Sequence, residues 1–156
     1  MNRRPLGRTG LQVSELGYGC GMVGGLLVRG EYPAMRRAVA RAIELGLNYF
    51  DTAPLYGDGQ SEVNLGAVLR ELRADVIVGT KVRLAAEDLG RIEAAIVESL
   101  EASLRRLGRE SVDLFQLHNL ITSQRRSEVG SLTPDDLPVV IRAFQTLHRQ
   151  GKTRFW

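Results

Sequence analysis

Apolar positions along the chain recur in two alternating spacings, one typical of helices and one of strands. Between 32 and 45, apolar residues such as Met35 and Val39 fall on one helical face, and Gly46 follows as a residue that ends helices. The next stretch, LNYFD, is short and apolar and ends in a turn, as a buried strand does. The pattern predicts a helix over 32–45 and a strand over 47–51.

The same alternation continues along the chain. A second helix is predicted from about Ser61, with Ser61 as its N-cap. DVIVGTK and SVDLFQLH read as buried strands, whereas RIEAAIVESLEASLRRLG and TPDDLPVVIRAFQTLHRQG read as amphipathic helices. Near the N-terminus, RRPLGRTGLQVSELGYG places a Gly-Arg-Thr-Gly turn between two short stretches and predicts a β-hairpin. The final KTRFW has the pattern of the beginning of one more strand.

These elements predict an α/β protein with a parallel sheet covered by helices, because right-handed crossovers place each helix on a face of the sheet. No Pro/Gly/Ser linker or run of charges interrupts the 156 residues, so one domain is expected over 1–156. An open doubly wound sheet and part of an eight-stranded barrel both satisfy the pattern. In both architectures, functional side chains gather at the carboxyl ends of the strands.

Four polar side chains stand at these predicted strand ends. Asp51 closes the second strand, and Tyr56 lies in the turn that follows it. Lys81 closes the third strand and His118 the fourth. Because the strand ends are about one βα unit apart, successive units bring a carboxylate, a phenol, an ammonium and an imidazole to one rim.

This combination suits proton donation to a carbonyl oxygen. A phenol has an unperturbed pKa of about 10, and a nearby ammonium favours its phenolate form. Lys81 needs a counter-charge when partly buried, which Asp51 can supply, and His118 can orient a substrate oxygen. Since no side chain supplies a hydride, a nicotinamide is the natural partner. Each residue alone has an ordinary structural explanation, and only the combination indicates a site.

Several runs of the sequence resemble the aldo-keto reductase family. They are GLNYFDTAPLYGDGQSEVNLG, VIVGTKV and VDLFQLHN, with LGRTGLQVSELGYG near the start and GKTRF at the end. The likeness covers nearly the whole chain, and the run FDTA…YG…SE…LG is highly specific. The resemblance implies a (β/α)8 TIM barrel, here with the first four βα units and the start of strand 5, preceded by a β-hairpin.

The resemblance also implies an NADP-dependent oxidoreductase that reduces aldehydes or ketones to alcohols by reversible hydride transfer. The substrate would be a small-molecule carbonyl compound or sugar, and the cofactor NADPH or, less often, NADH. The tyrosine of the family acts as general acid, assisted by the lysine, aspartate and histidine. These catalytic residues correspond to Asp51, Tyr56, Lys81 and His118.

In this family the loop after the first strand helps to hold the nicotinamide end of the cofactor. That loop corresponds here to Gly19, Cys20 and Gly21, and the threonine usual in the family is absent. Asp51 is placed with these three residues as a cofactor-binding residue.

Two glycine-rich stretches suggest other phosphate sites. GCGMVG at 19–24 matches the dinucleotide fingerprint G-x-G-x-x-G of Rossmann domains. That fingerprint needs a helix that opens on its glycines, but no amphipathic period begins before about Ala34, so the barrel is preferred. YGDGQSE could hold an anion before a helix, but Ser61 and Glu62 favour an ordinary cap.

Composition excludes several classes of function. The net charge of +3 comes from 21 basic and 18 acidic residues that are interspersed, which argues against nucleic-acid binding. No apolar run approaches a membrane span, and no secretory leader pattern is present. Cys20 is the single cysteine, so an internal disulfide and a metal site with four cysteine ligands are excluded, and no metal is expected. We expect a cytoplasmic protein.

Length raises a separate expectation. An eight-unit barrel needs about 250 residues, so the chain is expected to be the N-terminal half of a single barrel domain, interrupted before the remaining units. Open strand edges would favour self-association. Two alternatives to the enzyme remain: a non-catalytic binding or regulatory module of the same fold, and an inactive half barrel.

Overall fold

The computed structural model describes residues 1–21 and 25–156. Within these ranges the chain forms seven strands and five α-helices, with three short 3₁₀ turns. The strands are β1 (Arg3–Pro5), β2 (Gln12–Ser14), β3 (Tyr18–Gly19), β4 (Tyr49–Asp51), β5 (Ile77–Val82), β6 (Val112–Leu117) and β7 (Thr153–Phe155). The helices are α1 (Leu26–Arg29), α2 (Tyr32–Glu44), α3 (Gln60–Glu71), α4 (Ile92–Leu107) and α5 (Leu137–Arg149).

The strands form a hairpin and one parallel sheet. β1 and β2 pair antiparallel, as predicted for the N-terminal segment. The other five strands are parallel in the order β3-β4-β5-β6-β7, so each new strand joins the edge left by the previous one. A doubly wound sheet reverses this order at a switch point, and that alternative is therefore wrong. The chain forms part of a (β/α)8 barrel.

The outer face of the sheet carries the hydrophobic core. Phe50, Val78 and Phe115 are fully buried there, beneath the apolar stripes of the helices. Phe115 meets Phe144 of α5 edge to face, with ring centroids 5.0 Å apart. Because burial of such a side chain contributes about 1.5–3 kcal/mol, this face holds the strands in register.

The inner face of the sheet is more open. Tyr49 of β4 pairs with Ile77 of β5, and Leu114 of β6 pairs with Phe155 of β7. These four side chains are only half-buried, in contrast to the outer layer. The residues that point inward therefore lie on the more exposed face of the sheet, and the polar groups lie at the carboxyl end of this face.

Several boundaries differ from the sequence prediction. Helix α3 begins at Gln60 with Gly59 as its N-cap, so the assignment of Ser61 as the cap is wrong. The short helix α1 was missed, because four residues are too few to show a helical period. Strand β5 runs one residue past Lys81, and β6 ends one residue before His118. The glycine fingerprint at 19–24 lies partly outside the described residues.

Among the described residues, no helix combines the length and the apolar character that crossing a membrane would require.

Candidate active site

The ammonium of Lys81 is the centre of the candidate site. It donates hydrogen bonds to Asp51 Oδ2 at 2.7 Å, to the backbone carbonyl of Thr52 at 2.8 Å and to the Tyr56 hydroxyl at 3.3 Å. A lysine ammonium has three donors, so all three protons have an acceptor. Lys81 is 9% exposed, which means that these protein groups replace most of its water.

Strand register explains why these groups meet. Asp51 in β4 pairs with Gly79 in β5, and Lys81 follows Gly79 by two residues. Since side chains two residues apart point to the same face of a strand, Asp51 and Lys81 both point inward at the carboxyl end. The structure thus brings together three of the four predicted residues in one hydrogen-bonded group.

Tyr56 reaches Lys81 from a tight turn after β4. The turn is closed by hydrogen bonds from Tyr56 N–H to the Ala53 carbonyl and from Gly59 N–H to the Pro54 carbonyl. The Tyr56 side chain is half-buried, and its ring centroid lies 4.9 Å from Lys81 Nζ. The phenol is therefore held beside the ammonium while part of it faces the open rim.

His118 lies on the other side of Tyr56. The two rings meet edge to face, with centroids 6.2 Å apart and planes at 88°. His118 Nδ1 is buried and has no hydrogen-bond partner among the described residues. Burial lowers the pKa of His118, and the charges of Lys81 and Arg83 lower it further against the opposing effect of Asp51. The imidazole is therefore neutral at neutral pH and can donate one hydrogen bond.

Sequence reasoning missed Tyr49, which contacts the second carboxylate oxygen of Asp51. Its hydroxyl donates to Asp51 Oδ1 at 3.3 Å. Burial and the nearby Asp51 charge raise the pKa of Tyr49, so the hydroxyl keeps its proton and acts as a donor. The period of two that places Asp51 inward also places Tyr49 inward and could have revealed it.

Of the four residues predicted for the cofactor, Gly19, Cys20 and Gly21 lie beside Asp51 at the same rim but differ in which of their groups are accessible. Cys20 is 2% exposed, its N–H donates to the Asp51 carbonyl, and its own carbonyl accepts from Ser61 Oγ. Burial raises the pKa of the Cys20 thiol to about 12, with a further contribution from Asp51. Gly19 is exposed and Gly21 lies against the Tyr56 ring. The backbone at Gly19 and Gly21 is therefore the accessible part of this segment.

A buried polar layer beneath the rim was also missed. Ser61 and Thr52 share a 2.9 Å hydrogen bond between their hydroxyls, and both are fully buried. Glu62 is fully buried as well, and it accepts hydrogen bonds from Thr80 Oγ1 and Arg106 Nε, each at 2.6 Å. The interpretation of Ser61 and Glu62 as an ordinary cap is therefore wrong. Sequence pattern predicts helix faces but does not show which distant arginine would meet a carboxylate.

The described residues contain no group of three or more histidine, cysteine, aspartate or glutamate side chains arranged to bind a metal.

Comparison with known proteins identifies the family. The model of the aldo/keto reductase family matches residues 15–156. The chain belongs to this family. The resemblance seen in its sequence runs is thereby confirmed.

The curated relatives of this chain include proteins named as oxidoreductases and a protein named as an ion-channel subunit. The chain is 33% identical to the uncharacterized oxidoreductase YqkF of Bacillus subtilis over 100% of its length, and 36% identical to the L-galactose dehydrogenase of Arabidopsis thaliana over 97%. It is 33% identical to a putative voltage-gated potassium channel subunit beta of Schizosaccharomyces pombe over 98%. These matches cover 48%, 46% and 43% of the three relatives, so the chain spans about half their length.

Solved structures agree with the fold. The holo form of aldo-keto reductase AKR11C1 from Bacillus halodurans superposes with a TM-score of 0.76 at 34% identity, covering 99% of this chain and 49% of that one. An aldo-keto reductase from Klebsiella pneumoniae in complex with NADPH superposes with a TM-score of 0.70 at 29% identity, covering 94% and 45%.

Proposed function

We propose that this chain supplies the proton-donating part of an aldo-keto reductase active site that reduces aldehydes, ketones or sugars to alcohols. The observation that carries the proposal is the Lys81 ammonium, which is hydrogen-bonded to both Asp51 and the Tyr56 hydroxyl. A solvated lysine or a packing tyrosine would not need this shared contact. Aldo-keto reductase membership supports an oxidoreductase role in general.

In the proposed mechanism Tyr56 protonates the carbonyl oxygen as it gains negative charge. The phenolate that remains is stabilised by the adjacent Lys81 ammonium, and Asp51 balances the charge of the lysine. His118, neutral and beside the Tyr56 ring, donates a hydrogen bond that orients the substrate oxygen. In the reverse direction the same groups accept the proton of an alcohol.

A nicotinamide cofactor would supply the hydride in this reaction. The residues present fit such a group at the rim, since Gln116 Oε1 and His118 Nδ1 are buried without a hydrogen-bond partner among the described residues. Gln116 pairs with Lys81 across the strands and so borders the same surface. Gly19 and Gly21 offer backbone groups beside Tyr56. We propose NADPH because a related structure contains it.

We further propose that turnover requires a complementary half barrel. The inner face of the sheet is only half-buried at Tyr49, Ile77, Leu114 and Phe155, and relatives are about twice as long as this chain. A barrel closed over this face would exclude water and strengthen the electrostatic effects on which proton donation depends.

Complementation tests the proposed function. The chain would be assayed for NADPH oxidation with a panel of aldehydes, ketones and sugars, alone and after co-expression with the C-terminal half of AKR11C1. We expect turnover only with the added half. Tyr56→Phe should lower kcat by about 10²–10⁴-fold, the contribution of a positioned general acid. A Tyr56→Phe complex as active as the parent would contradict the proposed role.

A non-catalytic binding module is the second candidate, supported by the similarity to a putative potassium channel subunit beta. The same complex distinguishes the two functions. NADPH binding, measured by fluorescence titration, without turnover of any carbonyl compound would favour the binding module. Turnover that depends on Tyr56 would favour the enzyme.

A further inference from the structure

The turn that carries Tyr56 has an unusual backbone. Gly57, Asp58 and Gly59 follow the tyrosine with φ values of 64°, 54° and 85°, so three consecutive residues lie in the left-handed region. Asp58 adopts it although it carries a side chain, and aspartate is one of the few such residues that tolerate this region. Such a conformation persists only where the surrounding structure holds it.

Arg106 of α4 lies against the end of this turn. A Cβ built on Gly59 would lie 2.6 Å from Arg106 Cδ and 2.7 Å from Nε, so the arginine occupies the space that a side chain at Gly59 would need. The guanidinium donates from Nε to Glu62 Oε2 at 2.6 Å and from Nη2 to Ser103 Oγ at 3.2 Å. The guanidinium of Arg106 is thus held by two hydrogen bonds, while Cδ and Nε of the same side chain pack against the turn at Gly59.

Glu62 connects the same arginine to the strand that carries Lys81. Glu62 stands in the first turn of α3, immediately after the Tyr56 turn, and its side chain has no exposed surface. Its second oxygen accepts a 2.6 Å hydrogen bond from Thr80, the residue before Lys81 in β5. One carboxylate therefore joins α4, the start of α3 and β5.

We propose that Arg106 is a positioning residue for Tyr56. Through Glu62 and Gly59 it holds the turn in the conformation in which the Tyr56 hydroxyl meets the Lys81 ammonium. Arg106 lies on the outer layer of helices, so it acts through these neighbours and makes no hydrogen bond to Asp51, Tyr56 or Lys81 among the described residues. The consequence for catalysis rests on the proposed function, but the consequence for the position of Tyr56 does not.

The chain offers a matched control at the other end of α3. Arg36 of α2 donates from Nε to Glu71, and Glu71 also accepts from the Tyr32 hydroxyl. This ion pair likewise joins two helices through an arginine and a glutamate, and its glutamate is hydrogen-bonded to a tyrosine, Tyr32. Removing it should change the surroundings of Tyr32 and leave Tyr56 unchanged.

The test is an NMR spectrum of the chain with ¹³C-labelled tyrosine rings. Four tyrosines are present, and Tyr56→Phe assigns the Tyr56 signal. We expect Arg106→Met to shift or broaden the Tyr56 signal and to leave those of Tyr32 and Tyr49 in place. Arg36→Met should move Tyr32 alone. Arg106→Lys, which retains a charge beside the buried carboxylate, repeats the experiment if the methionine variant does not fold.

Two results would overturn the proposal: an unchanged Tyr56 signal in the folded Arg106 variants, or equal changes in all four tyrosines, which would indicate a general role in stability. If the complemented chain is active, Arg106→Lys should lower kcat by about tenfold with little change in KM. An inactive parent complex would count against the proposed function alone, because the NMR comparison still decides whether Arg106 positions Tyr56.

Discussion

The Lys81 ammonium lies 2.7 Å from a carboxylate oxygen of Asp51, although 30 residues separate the two positions in the chain. Their strands are neighbours in the sheet, and the parallel register sets both side chains on the inner face. Lys81 keeps 11% of its side-chain surface exposed and Asp51 keeps 30%. Because both charged groups are partly removed from water, loss of either one leaves the other without compensation for its lost hydration.

Loss of one member of this pair should destabilise the fold. We expect Lys81→Met to lower the free energy of unfolding by roughly 1.5–3 kcal/mol, because Asp51 loses its charged hydrogen-bond donor. Urea unfolding followed by circular dichroism measures the change. The double variant Asp51→Asn/Lys81→Met should regain part of the loss, since neither charge then remains unpaired. A double variant less stable than Lys81→Met would contradict this account.

The lowered pKa of His118 predicts how stability responds to acid. In the unfolded chain the imidazole is protonated below a pH of about 6.5. In the folded chain its pKa is lower, because burial and the charges of Lys81 and Arg83 disfavour the protonated form. Between these two values the unfolded state binds more protons, so acidification below 6.5 should reduce stability. An NMR titration of the ring should give a midpoint below 6.5, and Arg83→Gln should raise it. A midpoint at or above 6.5 would refute the prediction.

Ser61, the second residue of α3, should contribute to stability through its buried hydroxyl. Its hydroxyl donates to the Cys20 carbonyl at 2.9 Å, which leaves the Thr52 hydroxyl to donate to Ser61. Ser61→Ala leaves these buried groups without partners and should cost roughly 1–3 kcal/mol of unfolding free energy. Ser99→Ala, at a half-buried position of α4, is the control and should change it by less than about 0.5 kcal/mol. Equal effects of the two variants would argue against the buried network.

The thiol of Cys20 should be unreactive in the folded chain. The side chain is 2% exposed, and burial raises its pKa to about 12. Because the thiolate is the reactive form, labelling by Ellman's reagent at mildly alkaline pH should be far slower in buffer than in denaturant. Rapid labelling of the folded chain would show that this part of the rim opens to solvent.

The sequence by itself determined the order of the elements, most helix faces and the residue types at the strand ends. Periodic apolar positions set α2, α4 and α5, because a helix or strand buries a face whose spacing is fixed by its own geometry. The same alternation predicted parallel strands, and the carboxyl-end rule then placed Asp51, Lys81 and His118 at one rim. These conclusions need only local geometry and a general rule of topology.

Only the tertiary structure decided which groups meet across elements. It showed that Tyr49 contacts Asp51, that Ser61 lies beneath the rim, and that Glu62 is paired with Arg106 at a sequence separation of 44. It also showed that the five parallel strands lie in the sheet in the same order as in the sequence. Such contacts depend on the register of neighbouring strands and on the packing of helices, and neither leaves a periodic signal in the sequence.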